Sequence, residues 1–158
     1  MRRQQEMPRE VEISAFELLG YEDPSNAGES TQVEKLTLKH ADYFAVTNRI
    51  GDISPAGARD MGFFREDTRF LSRLELEVAG GPPVVLSAQT SVDYVTQIDL
   101  TVTTREFGGI FLGDPVNFLH LRREQIIREQ LVDRFTLTNF VTHPIDFWIQ
   151  LRFAADFA

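Results

Sequence analysis

Leu131-Val132-Asp133-Arg134-Phe135-Thr136-Leu137-Thr138-Asn139-Phe140 is the stretch that decides between helix and sheet. Leu131, Phe135 and Leu137 share one parity with Asp133 and Asn139, while Val132, Arg134, Thr136, Thr138 and Phe140 take the other. A period of two in β-branched and aromatic residue types belongs to a strand with one face on a core. Just upstream, Leu119, Leu121, Ile126, Ile127 and Leu131 also fit a helix, and Arg123-Glu124-Gln125 and Arg128-Glu129-Gln130 are good helix formers. The long alternation from Leu131 onward tips residues 116–140 toward two strands around a tight polar turn.

The same texture extends in both directions. Leu36, Leu38 and Phe44-Ala45-Val46 alternate or cluster among β-favouring neighbours, and Arg49-Ile50-Gly51-Asp52 is a turn candidate, followed by a second break at Ser54-Pro55-Ala56-Gly57. Residues 70–78 read as one strand with Leu74, Leu76 and Val78 on one face and Arg73, Glu75 and Glu77 on the other. Gly80-Gly81-Pro82-Pro83 then turns the chain, and Val84-Val85-Leu86 is expected to return as the second arm of a hairpin. Residues 92–104 continue with Val92, Tyr94, Val95, Ile98, Leu100 and Val102, and Gly108-Gly109 and Gly113-Asp114-Pro115 punctuate the next stretch. Residues 139–144 turn into a last strand, in which Ile145, Phe147, Ile149, Leu151 and Phe153 alternate with Asp146, Trp148, Gln150 and Arg152. No Gly, Pro or charged gatekeeper closes that strand, as an exposed edge ordinarily requires. The chain therefore reads as the front end of something longer, an antiparallel β-sandwich truncated at its C-terminal side.

Composition narrows the function classes. With 158 residues and 42% hydrophobic content there is material for one ordinary core and no second domain. The absence of cysteine excludes disulfides, thiolate nucleophiles and zinc-thiolate sites. Net charge is -8, of which -5 falls in residues 1–34, so no phosphate-binding surface and no nucleic-acid partner is expected. Behind Arg2-Arg3 no apolar run marks a signal or a membrane span, and a soluble, cytoplasmic protein without a membrane partner is the expectation. Residues 22–32 hold no large apolar side chain and read as a linker. Val11, Ile13, Phe16, Leu18 and Leu19 before it form a segment too short to stand alone, docked or loose. Residues 1–34 are thus an acidic leader and linker, and residues 35–158 the domain.

One run departs from simple alternation: Gly62-Phe63-Phe64-Arg65-Glu66-Asp67-Thr68-Arg69-Phe70-Leu71-Ser72-Arg73-Leu74-Glu75-Leu76, with dense charge beside aromatics. Together with residues 38–53 (LKHADYFAVTNRIGDI), with Leu137-Thr138-Asn139-Phe140 and with Phe153-Ala154-Ala155-Asp156-Phe157-Ala158, it resembles the N-terminal domain of the bacterial glycogen-debranching-enzyme-like (amylo-α-1,6-glucosidase) family. The similarity spans about residues 35–158, and Asp67-Thr68-Arg69 with Leu71-Ser72-Arg73 is its most specific part. The resemblance implies a supersandwich-like β-sandwich ahead of an (α/α)6 barrel. That barrel would supply the acid and base for hydrolysing α-1,6-glucosidic linkages, with no organic cofactor.

No barrel fits in this chain, and with 24 carboxylates a pair at glycosidase spacing arises by chance, so no residue is assigned as catalytic. For Arg65, Asp67, Arg69 and Arg73 two readings compete: sugar contacts at the mouth of the absent barrel, or a structural or interdomain role such as an ion-pair network fixing the turn before the strand. The structural and interdomain role is favoured. Trp148, like Tyr43 and Tyr94, could stack on a sugar ring, but packing beneath a neighbouring element is favoured for it too. His40 and Asp42 would share one strand face, yet His120 and His143 add no ligand spacing and no metal is expected. Ser72 lacks a nucleophile elbow. The expectation is a non-catalytic β-sandwich domain that packs on the barrel, in cis or as a separate chain, and shapes its α-glucan cleft. The alternative is a free-standing carbohydrate-binding or protein-interaction module.

Overall fold

The computed structural model describes residues 34–54, 59–102 and 118–158. The leader, the linker at 22–32, the break at 55–57 and the glycine-marked stretch at 108–115 lie outside the described residues. Everything described is strand, turn or irregular backbone, arranged as an antiparallel β-sandwich of three sheets. The first sheet holds β1 (Lys35–His40), β2 (Tyr43–Asn48), β3 (Gly62–Arg65) and β4 (Thr68–Leu71) in sequence order. The second pairs β5 (Arg73–Val78) with β10 (Ile149–Ala154). The third is β6 (Val84–Val92), β7 (Val95–Thr101), β8 (Leu119–Ile127) and β9 (Leu131–Asn139).

The main core lies under β5, β7 and β8. Leu76, Val78, Ile98, Leu100, Leu119 and Leu121 interlock there with Phe118, and Ile145 and Phe147 pack against them from the approach to β10. Two smaller clusters, Leu38-Ala45-Ile127 and Ile53-Met61-Leu74, join the first sheet to the rest, and Phe63 and Leu131 pack against both. Burying these side chains at about 25 cal/mol per Å² drives the layers together.

Residues 116–140 contain the expected pair of strands, with Ile127 opposite Leu131 across the turn Arg128-Glu129-Gln130. Leu74, Leu76 and Val78 are buried on one face of β5, as their spacing predicts. Three expectations need correction. The single strand over 70–78 is broken at Ser72, where the chain leaves the first sheet and enters the second. The hairpin of β5 with β6 does not form: only a Val78–Gly81 bridge follows β5, and β6 pairs with β7. Pro82 and Pro83 carry no N–H for a ladder, and β10 occupies the edge of β5 instead. The last strand begins at Ile149, later than the alternation from Ile145 suggests, because Ile145 and Phe147 turn into the main core.

Candidate functional site

β4 and the end of the chain are bound into one unit. Arg69 sends its Nε to both carboxylate oxygens of Asp156 at 3.1 Å and its Nη2 to Oδ2, while Nη1 donates to the Arg59 carbonyl at 3.1 Å. The backbone follows the same line. Arg69 N donates to Ala158 O at 2.7 Å and Ser72 N to Ala154 O at 2.8 Å, and the Phe70 and Phe157 rings meet edge to face at 5.8 Å. Hydrogen bonding from Arg69 holds the Asp156 carboxyl below the usual carboxylate range. Two motifs 87 positions apart in sequence are thereby joined by a planar bidentate pair, the geometry that arginine's fork supplies.

The other sequence candidates part company. Arg65 lies over the Tyr43 ring, 5.4 Å from its centroid, and Asp67 is exposed in the two-residue turn Glu66-Asp67 between β3 and β4. Arg73 reaches Glu75 on its own strand at 3.6 Å. Trp148 is 53% exposed and sits at the opposite end of β10, where its carbonyl accepts from Ala79 N. Six residues of strand, roughly 20 Å at about 3.3 Å per residue, separate it from Ala154 beside Ser72. Trp148 and the arginines therefore do not form one site. His40 and Asp42 do not share a strand face, contrary to expectation: β1 ends at His40, Asp42 lies in the turn Ala41-Asp42, and His40 meets Tyr94 edge-on at 5.6 Å. Among the described residues no group of three or more His, Asp or Glu is placed to hold a metal ion, and no helix is long and apolar enough to cross a membrane.

A second constellation went unread in the sequence. Arg123, on the inward face of β8 with Leu119, Leu121, Gln125 and Ile127, has a fully buried side chain between two carboxylates. Its Nη1 donates to Asp52 Oδ1 at 2.6 Å and to the Ile50 carbonyl at 2.9 Å. Its Nη2 donates to Asp133 Oδ2 at 2.6 Å and its Nε to Asp133 Oδ1 at 3.0 Å, with the guanidinium 5.5 Å from the Phe135 ring centroid. The loop supplying Asp52 is tied by its own sequence: Asn48 Oδ1 accepts from Ile50 N and Asp52 N, both at 2.9 Å, and Gly51 takes φ +87°. Asp52 Oδ1 also accepts from Leu76 N at 3.2 Å, so one loop links all three sheets. Burial pushes the Asp52 carboxyl up, against the opposing pull of Arg123.

Asp133 carries this network to the surface. It lines a cleft of about 510 Å³ with Tyr43, Phe63, Arg65, Phe70, Glu129 and Phe153, between the first sheet and the β8–β9 turn. Farther along the third sheet, Asp99 accepts from Ser87, Arg122 and the His120 ring. Desolvation opposes its charge, but the hydrogen bonds of Arg122 and Ser87 prevail and its pKa is lowered.

The family model for the N-terminal domain of (some) glycogen debranching enzymes matches residues 38–158. The chain belongs to this family. Both halves of the Arg69–Asp156 clamp and all three members of the Asp52–Arg123–Asp133 network fall inside the matched stretch of this debranching-enzyme N-terminal domain. No curated protein and no solved structure matches the chain.

One more feature of the domain concerns its second sheet. In the β5–β10 ladder Val78 faces Ile149, Leu76 faces Leu151 and Leu74 faces Phe153. Directly opposed residues point to the same side of a sheet. Yet the β5 members are buried, whereas Ile149, Leu151 and Phe153 are 39%, 43% and 74% exposed. The apolar layer thus continues one strand past its cover.

Proposed function

We propose that this domain is the non-catalytic N-terminal module of a glycogen-debranching, amylo-α-1,6-glucosidase-like glycoside hydrolase. It serves carbohydrate metabolism by packing on an (α/α)6 catalytic barrel, in cis or as a separate chain, and shaping that barrel's cleft. The observation that carries the reading is the uncovered side of β10. Ile149, Leu151 and Phe153 point with the core residues of β5 and are exposed. Contiguous apolar surface of this kind marks a contact with other protein. The occupant is taken to be the barrel because the family to which the chain belongs is defined as a domain of debranching enzymes. The Arg69–Asp156 clamp supports this reading, since it fixes the last residues against β4 and so holds the uncovered side in one orientation.

The test is association. The chain is mixed with a purified (α/α)6 barrel domain of a debranching enzyme from the same family, and complex formation is followed by sedimentation. A one-to-one complex abolished by Leu151→Glu supports the reading. Failure to associate, or association indifferent to Leu151→Glu and Phe153→Glu, refutes it.

A further inference from the structure

We infer that the cleft between the first sheet and the β8–β9 turn is a binding subsite for a neutral α-glucan chain. Its volume of about 510 Å³ falls in the usual range of small-ligand sites, roughly 300 to 1,000 Å³. Its walls combine what a sugar requires. Phe70 and Phe153, 37% and 74% exposed, offer flat apolar faces for the C–H side of a pyranose ring. The floor is firm, because Phe63 stacks on Tyr43 at 6.0 Å and 13° and also packs against both minor core clusters.

The polar groups are oriented before any ligand arrives. Asp133 is held by Nε and Nη2 of Arg123 and, at 3.4 Å, by Gln125 Nε2, yet its side chain keeps 14% exposure and lines the cleft. A carboxylate fixed from behind and open in front is a pre-organised acceptor for hydroxyl donors. Arg65, poised over Tyr43, contributes donors at the rim, and Glu129 and Gln130 contribute acceptors from the turn. Arg65 is the cationic residue of the lining against Asp133 and Glu129, and Arg123 behind it is shared between Asp133 and Asp52, so the cleft carries about one net negative charge. An excess of acid disfavours phosphate and acidic peptides, no group of three metal-ligating residues lies there among the described residues, and aromatic faces beside fixed acceptors and donors suit a polyhydroxylated neutral ligand. The hydroxyl-rich class follows from the cleft itself; the α-glucan assignment within it rests on the debranching-enzyme reading above. Phe153 belongs both to the cleft and to the uncovered side of β10, so a bound glucan would lie along the border of the docked barrel.

The experiment is a titration of the full chain with maltotetraose and, separately, with cellotetraose at millimolar concentration, followed by amide and side-chain NMR shifts. Shifts centred on Tyr43, Arg65, Phe70 and Glu129 with maltotetraose alone are expected. The double variant Arg65→Ala, Glu129→Gln is expected to weaken binding about tenfold, or ~1.4 kcal/mol, at an unchanged thermal midpoint. Absence of cleft shifts in the wild-type chain overturns the proposal, as do shifts confined to Trp148 or equal binding of cellotetraose. The wild-type shift map decides the matter even if the double variant does not fold. Barrel association lost through Leu151→Glu while sugar shifts are absent sinks the subsite alone; sugar shifts without barrel association sink the packing reading alone.

Discussion

Replacing Arg123 by methionine tests whether the buried network is what joins the three sheets. The guanidinium has no exposed surface and contacts Asp52, Asp133 and the Ile50 carbonyl. Its removal leaves two carboxylates in a low-dielectric interior without their counter-charge. Breaking a buried pair in this way costs about 3–5 kcal/mol, a large share of the roughly 5–15 kcal/mol that holds a domain folded. For an m-value of about 2 kcal/mol/M, a loss of about 4 kcal/mol moves the urea midpoint down by about 2 M. The assay is urea unfolding followed by circular dichroism at several pH values. The deficit should shrink as the pH falls, because protonating the buried Asp52, whose carboxyl burial already pushes up, relieves its unpaired charge. In the wild-type chain, burial raises the folded-state pKa of Asp52 above its unfolded value. Its favourable contribution is therefore complete below the ordinary aspartate pKa near 3.9 and is lost as pH rises through the raised value. Adding Asp52→Asn and Asp133→Asn to Arg123→Met should restore about half of the lost stability. A loss below about 1 kcal/mol, the scale of an exposed pair, or a deficit independent of pH, would refute the reasoning.

Gly51→Ala should destabilise by about 2–4 kcal/mol, combining the left-handed backbone penalty with overpacking. An added Cβ would lie 2.8 Å from Ile98 Cδ1 and 3.0 Å from Gln125 Oε1, at a φ of +87°; thermal unfolding measures the loss. Arg69→Ala should release the last residues from β4, so amide exchange at Arg69 and Ser72, whose N–H groups donate to Ala158 and Ala154, accelerates while the β7–β8 ladder is unchanged. Asp99→Asn should flatten the acid limb of stability. Asp99 has a lowered pKa, so its contribution is present above the ordinary aspartate value near 3.9 and lost as pH falls through the lowered one. Urea midpoints from neutral pH down into that range check the sign.

How far the sequence could be read depended on whether a local period carried the information. The β8–β9 hairpin and the inward face of β5 were legible because Leu, Val and Phe at alternate positions report a half-buried strand without reference to distant chain. The break at Ser72 was not, since what ends the strand there is a contact with Ala154, far away in sequence. The partner of β5 was equally hidden: two prolines reject one candidate, but only tertiary structure brings β10 alongside. Arg69 and Asp156 were each visible as parts of separate motifs, and no rule of spacing could join them. Arg123 stood out in the sequence only as a good helix former, because arginine seldom lies wholly inside. A signal did exist. Leu119, Leu121, Arg123, Gln125 and Ile127 share one parity, and an arginine in phase with four such neighbours calls for a carboxylate across the core.

The most direct measurement of the central claim is sugar release from branched α-dextrin by the isolated chain, by a debranching barrel domain of the family, and by the two together. The account requires no release by the chain alone and faster release by the mixture than by the barrel, with that gain erased by Leu151→Glu. Release by the chain alone, abolished by altering one of its own carboxylates, would contradict it.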